Sequence, residues 1–279
     1  MELNELKKLA TEGRNPRSAN IDKASPEEIV RIINAEDKTV AESVEKAHGQ
    51  IAKQVEAAAY ALQHGGRLIY FGAGTSGRLG VIDAAECRPT YGVDDNTVIG
   101  LIAGGMGAMF SAVEGAEDSL TLAEEELRGI HLTEKDFVIG VAASGRTPYV
   151  KGGLRYARSL GCVTGSVACT SPAEISALAD IPVEVVTGPE VVTGSTRMKA
   201  GTAQKMVLNM VSTGAFIRCG KVMGNLMVDV QVTNDKLRAR ALRIVMEAAE
   251  VDRETAEKAL AEAGGSAKKA ILSLLGGLR

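Results

Sequence analysis

The residues best suited to chemistry lie in RLIYFGAGTSGRLGVIDAAECRPTYG, residues 67–92. An apolar run breaks into Gly72-Ala-Gly74-Thr75-Ser76-Gly77, and helix-like sequence follows. A strand that ends in small and hydroxyl residues at a helix start leaves backbone N–H groups pointing outward. The helix dipole favours an anion there. The Thr75–Ser76 pair fits a phosphate monoester better than a bare carboxylate. Glu86 follows on the same helix-like stretch, and Glu117 lies in AVEGAEDS. Two carboxylates in different environments can act as general acid and general base. Read from composition alone, both are equally solvated charges on helix surfaces, and Glu114, Glu117 and Asp118 could simply cap helices.

A second loop resembles the first. IGVAASGRTP, residues 139–148, also runs from an apolar stretch into Ser144-Gly145-Arg146-Thr147. Alone it could be a helix cap with Pro148 at the first helical position. Paired with the first loop it reads as the other half of a phosphosugar cleft. A third segment, TGSTRMKAG, opens a long helical pattern with Ser195 or Thr196 as its cap and Arg197 and Lys199 in the first turn. Cations there oppose the helix dipole, so a bound anion would explain them. Glu190, in TGPEVVTGS, lies where it could bond sugar hydroxyls. The literal GxGxxG match raises a dinucleotide fold, but the second strand, VIGLIAGG, ends without the acidic residue that grips a ribose.

Composition narrows the classes. Net charge is −3, from 32 basic and 35 acidic residues, without a basic run that could track a nucleic acid. The four cysteines show no CxxC spacing and the three histidines are scattered, so neither a metal site, a disulfide framework nor a Ser/His/Asp triad is expected. No cofactor is called for. The N-terminus is charged without an apolar leader core, and the longest uncharged apolar stretch, Gly100 to Val113, is too short to span a bilayer. These features predict a cytoplasmic protein with reduced thiols and no membrane partner.

These residues need elements to hold them. Ser25-Pro26-Glu27-Glu28 predicts a helix start, and helical periodicity runs from Val40 to Gln63. Five strand-like runs follow: Leu68–Phe71, Thr97–Ala103, Phe137–Ala142, Val163–Ala168 and Pro182–Val186. Helical patterns, including Met109–Arg128 and Tyr149–Leu160, separate most of them. Alternation with continuous apolar strands predicts an α/β fold, a five-stranded parallel sheet flanked by helices. An irregular arm over residues 1–24 precedes it. Leu237–Val251, Arg253–Ala263 and Ser266–Leu275 predict a small C-terminal helical appendage. The organisation expected is an N-terminal arm and helices (1–50), a phosphosugar-binding domain (51–222) and a helical region (223–279).

GAGTSGRLGVIDAAECRPTYG, then LIAGG, AVEGAEDS, AASGRTPYV and EVVTGSTRMKAGTAQKMVLNM, together resemble the N-acetylmuramic acid 6-phosphate etherases. The likeness begins at TEGRNPRSANID and reaches GKVMGNLMVDVQVTNDKL. That family belongs to the sugar isomerase (SIS) fold group and is related to the glucokinase regulatory protein. The resemblance implies cleavage of the C3 D-lactyl ether of N-acetylmuramic acid 6-phosphate, giving D-lactate and N-acetylglucosamine 6-phosphate in cell-wall recycling. It implies that Glu86 and Glu117 are the acid/base pair. It also implies that Thr75, Ser76, Ser144, Arg146, Thr147, Ser195 and Thr196 form the phosphosugar loops, with Glu190 at a sugar-contacting position. A phosphosugar isomerase or a hexose-phosphate-sensing regulator would share the loops without releasing lactate.

One distance is awkward. On a single helix Glu86 would lie ~15 Å from Ser76, about twice the reach of a hexose phosphate from phosphorus to C3. Either the chain turns back near Glu86 or a second subunit supplies a carboxylate, which would make the protein a homodimer with its site near the interface.

Overall fold

The computed structural model describes residues 10–229 and 235–276. Strands β1 (Leu68–Gly72), β2 (Val98–Ile102), β3 (Phe137–Val141), β4 (Val163–Ala168) and β5 (Ile181–Glu184) form one parallel sheet in the order β2-β1-β3-β4-β5. All five strand positions anticipated from apolar runs are occupied, within two residues at each end. Alternate residues feed opposite faces. Leu68 and Tyr70 pack into one core with Ile139, Val141 and Val167, while Ile69 and Phe71 pack into the other with Val138.

Helices cover both faces. The first core is closed by α1 (Pro26–Glu45), α2 (His48–Gln63), α3 (Gly74–Tyr91) and α6 (Lys199–Arg218). The second is closed by α4 (Leu122–Gly129) and α5 (Pro148–Ser159). Beyond a small hairpin, β6 (Val222–Met223) with β7 (Leu226–Met227), lie α7 (Asp235–Ala249), α8 (Arg253–Glu262) and α9 (Ala267–Leu274). These last helices share a third core of small residues, among them Ala241, Val245, Ala256, Ala270 and Ile271. No helix among the described residues is long and apolar enough to cross a membrane.

The expected helix start at Ser25 is a full capping box: Ser25 caps the amide of Glu28, and the Glu28 carboxylate returns to the Ser25 amide. Two helical expectations need correction. Val40–Gln63 is not one helix, because the chain turns at Lys46–Ala47 between α1 and α2. Buried Val44, Ala47 and Ile51 keep helical spacing across that turn, so periodicity hides it. Met109–Arg128 is also not one helix. Residues Met106–Met109 form a 3-10 turn, and the chain stays irregular until Leu122. Phe110 (92% exposed), Val113 and Leu120 face outward before Leu122, so this part carries no continuous core-facing stripe. The expected irregular arm contains three 3-10 turns between Ala10 and Lys23, and its residues 1–9 lie outside the described part.

A buried ion cluster ties the arm to the sheet's helices. Glu36 of α1 is 1% exposed and accepts bonds from Asn15, Arg17 and Lys199. Burial pushes its carboxyl up, but bonds from Arg17, Lys199 and Asn15 outweigh burial and bring it down to about 2, against an ordinary 4.5. Because the folded value is the lower one, the stabilisation is complete above pH 4.5 and is lost as pH falls towards 2. Glu36→Gln leaves Lys199 buried without its counter-ion. It is expected to cost about 3 kcal/mol at pH 7. Urea titrations should show that deficit shrinking between pH 4.5 and pH 2; a deficit that is constant across this range would refute the linkage.

Candidate active site

In a 2-1-3-4-5 sheet the chain departs in opposite directions from β1 and β3, which leaves a crevice beyond their carboxyl ends. The first two loops flank that crevice. Gly72 pairs in register with Val141, so Thr75 and Ser144 each lie three residues beyond a matched pair. The first loop turns within van der Waals limits only because position 77 is glycine. A Cβ there would sit 2.4 Å from the Gly72 carbonyl oxygen. Helix α3 starts at once, without a side-chain cap, and its first internal bond runs from the Gly77 amide to the Ala73 carbonyl. The amides of Gly74, Thr75 and Ser76 therefore precede the internal ladder and form an anion cradle.

The hydroxyls divide their work. Ser76 is buried, and its Oγ donates to Gln204 Oε1 of α6 at 3.0 Å. Ser76 thus offers an incoming ligand its amide, while its hydroxyl holds α3 against α6. Thr75 is half-buried at the α6 first turn: a Cβ on Gly201 would sit 3.5 Å from Thr75 Cγ2 and 3.6 Å from the Thr196 carbonyl oxygen. Ser144 is half-buried in the loop after β3. Thr147 occupies the N-cap position of α5 without a side-chain cap bond, and Pro148 is the first helical residue as expected. Arg146 forms an ion pair with Glu174 at 3.1 Å, a carboxylate that Lys151 also meets at 2.8 Å.

The third segment differs from expectation. Helix α6 begins at Lys199, and neither Ser195 nor Thr196 caps it. The cap is Glu190, which accepts from the Lys199 and Ala200 amides at 2.9 Å each. A buried carboxylate on two helix-start amides satisfies the dipole with protein charge. The cation expected to signal a bound anion, Lys199, instead meets Glu36 at 2.8 Å. Ser195 and Thr196 remain in the loop before the helix, both half-buried, and Arg197 is exposed.

Glu117 and Glu86 fall in different places. Glu117 lines a 230 Å³ cavity together with Ala73 and Gly74 of the first loop, Arg78, Glu114 and Asp118. Its carbonyl accepts from the Tyr149 amide at 3.0 Å, and the Tyr149 hydroxyl bonds Glu126. Residue 152 must be glycine for this loop to lie on α5, because a Cβ there would come 2.0 Å from the Leu120 carbonyl oxygen. Glu86 is exposed on α3, ten residues beyond Ser76. Helix α3 is unbroken over this span, so a turn back towards the cradle is ruled out and the ~15 Å separation stands. Beside Glu86 an exposed row, Ile82, Ala85 and Pro89, follows helical spacing.

Sequence reasoning passed over Arg78. Its guanidinium lines the cavity and donates to the carbonyls of Met109 and Ala108 at 3.0 and 2.7 Å, fixing the segment after β2. The repeated Ser-Gly-Arg of the two loops was the available signal. Among the described residues no three His, Cys, Asp or Glu side chains gather as a metal would require.

Relatives place this geometry. A protein of Geobacillus sp. (strain WCH70) called N-acetylmuramic acid 6-phosphate etherase is 57% identical over 270 residues, 97% of this chain and 92% of the relative. The chain belongs to the N-acetylmuramic acid 6-phosphate etherase family. An etherase of this family from Cronobacter sakazakii (strain ATCC BAA-894) is 55% identical over 98% of this chain and 92% of its own length. Residues 50–158 match the glucokinase regulatory protein N-terminal SIS domain, and residues 224–269 match the C-terminal lid domain of glucokinase regulatory protein. Among solved structures, an E. coli CFT073 protein solved as a ligand complex superposes with a TM-score of 0.53 at 16% identity, covering 72% of this chain and 97% of that one. A phosphoheptose isomerase from Francisella tularensis gives 0.52 at 13% identity, covering 70% and 99%. The SIS-domain match identifies the fold of this etherase family chain, and the two structural likenesses agree with it.

Proposed function

We infer that the protein is a carbon–oxygen lyase that cleaves the C3 D-lactyl ether of N-acetylmuramic acid 6-phosphate. The reading rests on near-full-length identity to etherases and on one observation above all: Glu117 shares a cavity with the helix start that can hold a phosphate.

An alkyl ether resists hydrolysis, so elimination is the easier route. Ring opening makes C1 an aldehyde and acidifies the hydrogen on C2. The Glu117 carboxylate takes that proton. The C3–O bond then breaks, its electron pair leaves with lactate, and Glu86 supplies the proton that lactate needs. Water adds to the unsaturated aldehyde: its hydroxyl bonds C3 and a proton returns to C2. The chain's own residues supply both protonation states. The amides of Gly74 to Ser76 anchor the phosphate, with Thr75, Ser144, Thr147, Ser195 and Thr196 around it and Arg146 and Glu190 fixing the surrounding loops.

The ~15 Å rise between Ser76 and Glu86 supports a site to which two chains contribute. A second copy, paired by a two-fold axis, would bring its Glu86 to the first copy's cradle. Ile82 on this helix (51% exposed), with Met106 (63%) and Phe110 on the segment that Arg78 of the same helix holds, provide exposed apolar area for such pairing. The working form is therefore a homodimer with two shared sites.

The test is D-lactate release from N-acetylmuramic acid 6-phosphate by purified protein in a chelator without added cofactor. Lactate and N-acetylglucosamine 6-phosphate in equal amounts are expected. Saturable hexose-phosphate binding without lactate would instead support a sugar-phosphate sensor like the glucokinase regulatory protein, whose domain models match residues 50–158 and 224–269.

A further inference from the structure

Asn15-Pro16-Arg17-Ser18 takes no part in the chemistry above, yet three of these four side chains are committed to tertiary bonds. Asn15 Nδ2 donates to Glu36 Oε2 at 2.8 Å and to the Pro189 carbonyl at 3.4 Å. Arg17 grips the Glu36 carboxylate through both Nε and Nη2. Ser18 Oγ donates to the Val191 carbonyl at 2.7 Å. Pro16 sets the first position of the 3-10 turn that presents them, and Asn15 caps it.

Two of these bonds reach one loop directly, at Pro189 and Val191, and the others reach its far end through Glu36, which holds Lys199. Pro189 and Val191 lie at its beginning, and Lys199, bound to Glu36, lies at its end. Between them run Ser195 and Thr196. Glu190 caps the helix that follows, so the loop is fastened at both ends and in both directions. Only two residues beyond Lys199, Gly201 abuts Thr75 of the anion cradle. A shift of Lys199 therefore reaches the cradle through one turn of a rigid helix. A cluster built only for stability gains little from buried charges, since apolar side chains of similar volume commonly serve as well.

We propose that Asn15, Arg17 and Ser18 are positioning residues: the N-terminal arm clasps the loop of residues 187–198 and so sets the affinity of the cradle for the phosphorylated end of the sugar. The proposal rests on the phosphosugar reading of the site. The phosphate keeps its place while C2 and C3 react, so its contacts stabilise ground and transition states alike. Loosening them raises KM and leaves kcat in place.

The experiment uses the full chain. Arg17 is 65% exposed, so Arg17→Gln opens no cavity. Steady-state kinetics are measured with N-acetylmuramic acid 6-phosphate, and N-acetylglucosamine 6-phosphate binding is measured by calorimetry, both well below the thermal midpoint. Arg17→Gln is expected to raise KM and weaken binding about tenfold, with kcat changed less than about twofold. Arg17→Lys, which keeps the charge, should recover part of the loss, and Ser18→Ala should move in the same direction by less. A lowered thermal midpoint with unchanged KM and binding would overturn the clasp and leave a structural role. So would a fall in kcat equal to that in kcat/KM. Wild-type protein that binds the phosphosugar without releasing lactate would sink the etherase reading alone, and the binding series would still decide the clasp. Wild-type protein that binds no hexose phosphate would sink both.

Discussion

Glu117→Gln should lose both lactate release and the exchange of the substrate's C2 hydrogen with solvent deuterium, each by about a thousandfold. Glu86→Gln should lose lactate release to a similar degree and keep the exchange. The two carboxyls act at different moments. Removing the C2 proton needs only the base and the aldehyde's electron-withdrawing pull, so it survives loss of the acid. Expelling lactate needs both. Mass spectrometry of recovered substrate in deuterium oxide separates the two steps, and lactate assays report the whole. Exchange at the wild-type rate in Glu117→Gln would show that another group is the base. Glu114 and Asp118, which line the same cavity, would be next in line.

Mixing the two inactive variants should restore activity. If each site takes Glu117 from one copy and Glu86 from another, a mixed dimer has one site with both carboxyls intact and one with neither. Random pairing at equal amounts makes half the dimers mixed, so about a quarter of wild-type activity returns from two preparations that separately have almost none. The subunits must be exchanged first, by co-expression or by mild denaturation and refolding. An inactive mixture of verified heterodimers would mean that both carboxyls act within one chain. The unbroken helix would then have to bend in solution by far more than its packing against β2 and α6 permits.

The sheet was legible because a parallel sheet buried on both faces writes itself as short apolar runs, and Leu68 to Phe71 is fully buried in the structure. The first two loops were legible for a related reason, since small and hydroxyl residues at a strand end have few other uses. What escaped were features settled by distant residues. Lys199 reads locally as a cation at the wrong end of a helix, and its carboxylate, Glu36, lies 163 positions earlier. No spacing rule connects them. Glu190 reads locally as a sugar contact because it follows a strand end, while the amides of the helix beginning nine residues later engage each of its oxygens. Ser76 reads locally as a phosphate-loop residue, and its hydroxyl donates to Gln204, on a helix whose position only the folded chain reveals.

The third core has a thermodynamic consequence. Among the described residues it contains ten buried side chains, five of them alanines, and shares none with the two cores around the sheet. Polar bonds are prominent where it meets the rest, Lys268 reaching the Gly220 carbonyl and Asp229, and Asp229 also meeting Lys221. Alanine buries little apolar area, so this unit's own cohesion is small beside that of the sheet. Its opening is a separate cooperative event, of lower free energy than global unfolding. Calorimetry on this chain is expected to show two overlapping transitions, the lower belonging to this unit and the upper midpoint to the sheet with its flanking helices.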